Sequence, residues 1–138
     1  MMRNMKKTFA VVLGFALMAA GCSDPLPPAA PTPATPTIVE NITGTLLVNG
    51  SNTHPFTVNE VGGVRVVLNT VAPGAAVRIG IGTPGSGSCL ILANTTAVGG
   101  ADTLLSGTAT VSGNFCVLVA DVGNLVESVN YTITLTHS

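Results

Sequence analysis

The residues of this sequence that could do chemistry are few: three cysteines, two histidines and six acidic side chains in 138 residues. Cys89 and Cys116 each lie within an apolar stretch, whereas Cys22 follows a hydrophobic segment near the N-terminus. In an oxidising compartment such a pair normally forms a disulfide, and we expect a bond between Cys89 and Cys116. The alternative is a metal site formed with His54 and His137, but no CxxC or HxxxH spacing supports it.

Motifs that would build an active site are missing from the sequence. It contains no GxSxG, HExxH or Walker motif. A Ser–His–Asp triad could use only His54, which alternates with Phe56 along a strand pattern, or His137, which is next to the last residue. The glycine-rich residues 85–88 lead into a strand pattern rather than a helix, so they predict a turn and not a phosphate site. We therefore expect no enzymatic activity and no cofactor.

Asp121 and Asn124 form a weak candidate for a calcium site. They could supply two loop oxygens, whereas Ca²⁺ takes six or more. A solvated hairpin turn explains the same residues, and we favour that interpretation.

The first 21 residues have the layout of a secretory signal, which is expected to be helical. Arg3, Lys6 and Lys7 precede an apolar run of 12 residues at positions 9–20. A membrane-spanning helix needs about 20 apolar residues, so this run is too short to be a transmembrane anchor.

The end of the signal, LMAAGC at residues 17–22, resembles the lipobox of bacterial lipoproteins, with Ala19 where that family prefers Leu. The resemblance implies cleavage before Cys22 and acylation of its thiol, which would attach the protein to membrane lipid. Several acyl chains anchor a protein stably, whereas one gives marginal binding. Lipoproteins with Asp directly after the acylated cysteine are retained on the inner membrane. Ser23 at this position therefore implies that the protein is sorted to the outer membrane. An ordinary cleaved secretory peptide is the alternative.

A proline-rich spacer follows at residues 22–37. The stretch after the cysteine contains six prolines in 15 residues. Proline fixes φ and removes a backbone donor, so we expect a disordered, extended tether of roughly 45 Å rather than a helix or strand. The alternative is a proline-rich ligand for another domain.

Residues 38–138 have the composition and periodicity of a β domain, because they are rich in Val and Thr and lack Lys. Apolar residues alternate with polar ones at residues 64–69, 77–81 and 131–136. Residues 89–93 and 115–120 are apolar on both faces and predict central strands. Weaker strand patterns lie at residues 42–48, 54–58 and 103–110. With glycine and proline turns between them, these segments predict an all-β, antiparallel, jelly-roll-like sandwich of about eight short strands.

This domain resembles the bacterial pre-peptidase C-terminal domain, a jelly-roll-like sandwich. The resemblance rests on GNFCVLV at residues 113–119 and VNYTITL at 129–135, with HPFTV at 54–58 before GGVRVVL at 62–68. Many members carry an acidic strand where this chain has AAVRI at residues 75–79. The calcium binding of some members is therefore not expected at those positions.

Composition narrows the function classes further. Charged residues make up 8% of the chain and the net charge is −1, which excludes nucleic-acid binding through a basic surface and a coiled coil. We expect a non-catalytic structural or interaction module of the cell envelope, which binds an envelope protein or polysaccharide or simply decorates the envelope. A carbohydrate-binding accessory module is the alternative, but Phe56, Phe115 and Tyr131 fall on the core-facing side of their strands, where they could not stack on sugar rings.

Overall fold

The computed structural model describes residues 35–100 and 103–138, so the predicted signal helix and most of the predicted tether lie outside the described residues. The described part contains no helix long and apolar enough to cross a membrane. It consists of eight β-strands, as the sequence predicts: β1 Ile38–Leu46, β2 Ser51–Val58, β3 Gly62–Ala72, β4 Val77–Pro84, β5 Cys89–Ala97, β6 Leu104–Ala109, β7 Gly113–Asp121 and β8 Val129–His137.

The strands form two four-stranded antiparallel sheets. Sheet A has the order β1-β8-β3-β6, and sheet B has the order β2-β7-β4-β5. Eight strands divided in this way between two packed sheets are the arrangement of a jelly roll. The predicted all-β sandwich is therefore confirmed.

Most connections cross from one sheet to the other. Among the described strands, β4 and β5 are the sequence neighbours that also pair in one sheet, and residues 85–88 form the turn between them, closed by a 2.7 Å bond from Gly85 N to the Ser88 carbonyl oxygen. The segment after Asp121 instead leads from β7 in sheet B to β8 in sheet A. The hairpin predicted at Asp121 and Asn124 is thus wrong, since local sequence identifies a turn but not the sheet to which the next strand belongs.

The two apolar stretches predicted as central strands have different outcomes. β7 lies between β2 and β4, and its residues Phe115, Cys116 and Val117 are buried, so this prediction is confirmed. β5 is an edge strand, and the exposed fractions of Leu90 and Leu92 are 58% and 71%. The prediction of a central strand is therefore wrong for residues 89–93, because an apolar stretch does not reveal how many neighbours its strand has. A β-bulge in the β4–β5 ladder also leaves Leu92 without a partner on β4.

The core lies between the sheets and is built from the inward-facing residues of both. Alternating burial along β3 and β8 shows the period of two that places every second side chain inside. The largest side chains that are fully buried are Tyr131, Leu46, Leu68, Ile79, Ile133 and Leu135.

Candidate functional site

A disulfide joins Cys89 to Cys116, as the sequence predicts. The two Cα atoms are 5.9 Å apart, and the bond ties the edge strand β5 to the central strand β7. Metal ligation requires a thiolate. Because each sulfur is bonded to the other, the alternative of a cysteine–histidine metal site does not hold, and no group of three metal-ligating side chains exists among the described residues.

His54 belongs to a polar network inside the sandwich. Its Nε2 atom lies 2.6 Å from the Tyr131 hydroxyl oxygen, which also accepts a 3.0 Å bond from the Asn52 amide. Burial lowers the pKa of His54 and raises the pKa of Tyr131 above their ordinary values, because the charged form of each side chain is disfavoured away from water. The folded protein therefore favours the neutral form of each side chain. No carboxylate among the described residues is hydrogen-bonded to His54 to orient it as a general base.

His137 is buried at the C-terminal end of β8 and is held at both ring nitrogens. Nε2 lies 2.9 Å from Glu40 Oε1, and Nδ1 lies 3.2 Å from the Ser138 carbonyl oxygen. The Ser138 hydroxyl donates to the Glu60 carbonyl oxygen at 2.6 Å instead of facing the imidazole. The arrangement provides an acid and a histidine without a nucleophile, so we interpret it as a structural hydrogen-bonded contact that ties β8 to β1.

Asp121 fixes two loops through its carboxylate. Oδ1 accepts bonds of 2.8, 3.2 and 3.3 Å from the backbone N–H groups of Gly123, Asn124 and Leu125, and Oδ2 accepts a 2.8 Å bond from Asn49 N. These bonds, with the one from Asn49 largest, hold the pKa of Asp121 below its ordinary value. Asn124 takes part through its backbone N–H rather than through its side-chain oxygen. The two residues thus form a loop clamp in which the carboxylate oxygens already have donors.

A cleft among the described residues lies beside His137 and Ser138, and we call it the terminal cleft. It has a volume of about 490 Å³. Arg65 lies in it and has no ion-pair partner among the described residues. In the ladders, Thr136 and Ser106 are the neighbours of Arg65 on either side. A guanidinium between two hydroxyls can bind an anionic or polar group. The cleft is lined by Thr35, Thr37, Val61, Gly62, Gly63, Val64, Arg65, Ser106, Gly107, Thr136, His137 and Ser138.

Sequence reasoning missed the partners that make these histidines structural. Asn52, His54 and Phe56 alternate along β2 and so lie on one face, which is a signal that the sequence does contain. The pairing of His137 with Glu40 depends on β1 and β8 being neighbours although 97 positions separate the two residues. No local pattern could have revealed that contact.

Comparisons with known proteins identify the fold of this chain but not a family. No family model matches the chain, and no curated protein matches it. Two solved structures share the fold: the mitogen YPM derived from Yersinia pseudotuberculosis is 17% identical with a TM-score of 0.56, covering 73% of this chain and 86% of that one. PliG from Aeromonas hydrophila, a periplasmic inhibitor of g-type lysozyme, is 14% identical with a TM-score of 0.52, covering 70% and 83%. At these low identities the likeness shows only that the three proteins share a β-sandwich fold.

Proposed function

We propose that this chain is a lipid-anchored lipoprotein of the bacterial cell envelope whose β-sandwich is non-catalytic and binds a partner through its surface. The anchor is Cys22, acylated after cleavage of residues 1–21, and Ser23 directs the protein to the outer membrane. The proline-rich residues 22–37 then separate the sandwich from the lipid. We also propose that the sandwich is related to the pre-peptidase C-terminal domain, and its jelly-roll strand order is compatible with that relationship.

One observation carries the non-catalytic part of this proposal. The described groups best suited to acid–base chemistry are engaged in holding the fold: His54 with Tyr131, His137 with Glu40, and Asp121 with four backbone N–H groups. General acid–base catalysis needs such groups free and convergent at one pocket. Arg65 in the terminal cleft can contribute binding, because a guanidinium presents five N–H donors in a fixed geometry.

A protein partner fits the surface better than a polysaccharide does. Phe56, Phe115 and Tyr131 are buried, so they offer no platform on which a sugar ring could stack. PliG, which has the same fold, is a periplasmic inhibitor of a lysozyme, and this supports a surface that recognises a protein. The carbohydrate-binding alternative would have to rely on the polar groups of the terminal cleft alone.

The anchoring is tested by separating inner and outer membranes of cells that express the full chain. We expect the wild type in the outer-membrane fraction, Cys22→Ser uncleaved or released from the outer membrane, and Ser23→Asp shifted to the inner membrane. Ser23→Asp is the matched control, since it leaves the acylated cysteine in place. A Cys22→Ser protein that is cleaved normally and still fractionates with the outer membrane would contradict the proposal.

The binding role is tested with the same strains. The wild-type chain is cross-linked in intact cells and purified, and its covalent products are identified by mass spectrometry. The variant Arg65→Gln reports on the terminal cleft, with Arg78→Gln on the opposite sheet as the matched loss of charge. A g-type lysozyme is a defined first probe, because PliG, which shares the fold, is an inhibitor of g-type lysozyme. The non-catalytic role is tested separately with a panel of hydrolase and esterase substrates. Turnover by the wild type that is lost in His54→Ala would overturn this role.

A further inference from the structure

Four connections between the sheets begin and end at the same end of the sandwich. In the ladders, Leu46 of β1 lies opposite Val129 of β8, and Val77 of β4 lies opposite Asp121 of β7. The β1–β2, β3–β4, β5–β6 and β7–β8 connections therefore all join strands at this end, which we call the loop end. The chain enters the sandwich at Ile38, at the opposite end, and the nine residues of β1 separate the two ends by roughly 30 Å.

The loop end presents aliphatic side chains on loops that hydrogen bonds hold in place. Its exposed aliphatic residues are Leu47, Val48, Val98, Val122 and Val126. The Asp121 carboxylate joins the β1–β2 and β7–β8 loops through its bonds from backbone N–H groups of both, and Asp121 N donates to the Gly50 carbonyl oxygen at 3.0 Å. Exposed apolar groups on one surface are typical of an interaction site, and loops that are already fixed lose less entropy when a partner binds.

A cavity of about 220 Å³ opens between two of these loops. Pro73 and Ala75 line it from the β3–β4 loop, and Leu125, Val126 and Glu127 line it from the β7–β8 loop. Pockets for free small molecules usually have volumes of about 300–1,000 Å³. This cavity therefore suits a single side chain of a protein partner better than a free ligand.

The charge of the loop end is negative. Its four loops contain two acidic residues, Asp102 and Glu127, and neither Lys nor Arg. Asp102 lies outside the described residues, whereas Glu127 lines the cavity and has no ion-pair partner among the described residues. A partner that brings a lysine or arginine to Glu127 is therefore attracted, whereas an anionic lipid surface is repelled.

We infer that this chain binds its partner at the loop end, and that the partner is a protein that places an aliphatic side chain in the cavity and a lysine or arginine against Glu127. The inference rests on the proposed function and specifies where the partner binds and what chemistry it presents. Burial of the aliphatic groups would supply affinity, and the ion pair would supply orientation and specificity. A second copy of this chain is a poor occupant, because it would bring the same acidic loops.

Photo-cross-linking from single positions of the full-length chain in cells tests this inference. p-Benzoylphenylalanine replaces Leu47 or Val126 at the loop end. As matched controls it replaces Val61 or Val111 in connections at the opposite end, since the exposed fractions of all four residues lie between 61% and 93%. We expect several-fold more adduct with one protein from the loop end than from the controls. Mass spectrometry should place the contact in a segment of that protein in which a lysine or arginine adjoins an aliphatic residue.

Charge reversal separates recognition from chance contact. Glu127→Lys should reduce the adduct formed from position 47 several-fold, and Glu127→Gln should reduce it less. Glu60→Lys, the same reversal at an exposed residue of the opposite end, should leave it unchanged. Adducts formed mainly at Val61 or Val111, an adduct with a second copy, or an adduct insensitive to Glu127→Lys would overturn the inference and leave a surface-binding role standing. The absence of adducts from all four positions would overturn that role as well.

Discussion

Tyr131 links the two sheets at the scale of single residues. It belongs to β8 of sheet A, yet its hydroxyl contacts His54 and Asn52 of β2 in sheet B. An aromatic ring with one polar tip can fill the core and still satisfy its hydrogen-bonding group in this way. The histidine that the sequence offers as a possible catalyst is therefore explained by a structural contact.

We expect Tyr131→Phe to lower the free energy of unfolding by about 1 kcal/mol, because the variant keeps the buried ring and loses hydrogen bonds to two half-buried partners. Urea unfolding monitored by circular dichroism measures the change. Phe56→Leu changes a neighbouring part of the core without touching these bonds and serves as the comparison. An unchanged unfolding midpoint for Tyr131→Phe would show that the network does not stabilise the fold.

Asp121 should make the stability of the fold depend on pH. Its pKa is held below the ordinary value of 3.8 in the folded protein, so the unfolded chain takes up the proton first as the pH falls. The stabilisation is therefore present above pH 3.8 and is lost as the pH falls through the folded-state pKa. In Asp121→Asn we expect lower stability at pH 7 and a smaller difference between pH 7 and pH 3 than in the wild type.

Thermal unfolding over this pH range, with and without calcium chloride, tests the clamp. The wild-type midpoint should not respond to calcium, because the carboxylate oxygens already accept backbone bonds. A calcium-dependent rise in the wild type that is absent from Asp121→Asn would instead support the metal-binding alternative.

At the scale of strands, the pairing of β1 with β8 depends on a glycine. Gly44 lies opposite Tyr131, and a Cβ atom at this position would overlap the Tyr131 hydroxyl and ring. We expect Gly44→Ala to destabilise the protein by about 1–3 kcal/mol, since the added methyl group must displace the ring. Gly63→Ala is the control, as nothing lies within 4 Å of the Cβ that it adds. Equal unfolding midpoints for the two variants would contradict this account of the close packing.

The disulfide acts at the same scale, because it ties the edge strand β5 to β7. Its sequence separation is 27, and closing a loop of that length stabilises a fold by about 3–4 kcal/mol in the chain-entropy model. The double variant Cys89→Ala/Cys116→Ala should lose stability of this order in denaturant titrations. Reducing the wild type should reproduce most of the loss, and insensitivity of both samples would show that the bond contributes little.

At the scale of the whole molecule, the sequence contained enough information for the fold class and not for the sheet edges. Alternation along segments such as residues 64–69 and 131–136 predicted strands correctly, because burial of one face imposes a period of two. The edge position of β5 was missed because edge and central strands differ in their neighbours, which are set by long-range topology. The histidine contacts were missed for the same reason, since their partners lie 77 and 97 positions away.

The proposal as a whole rests on the fate of Cys22, and the intact mass of the mature protein extracted from membranes tests it most directly. We predict a chain that begins at Cys22, carries the added mass of acyl groups on that residue, and retains the Cys89–Cys116 disulfide. A mature chain that begins elsewhere, or that carries an unmodified Cys22, would contradict the account.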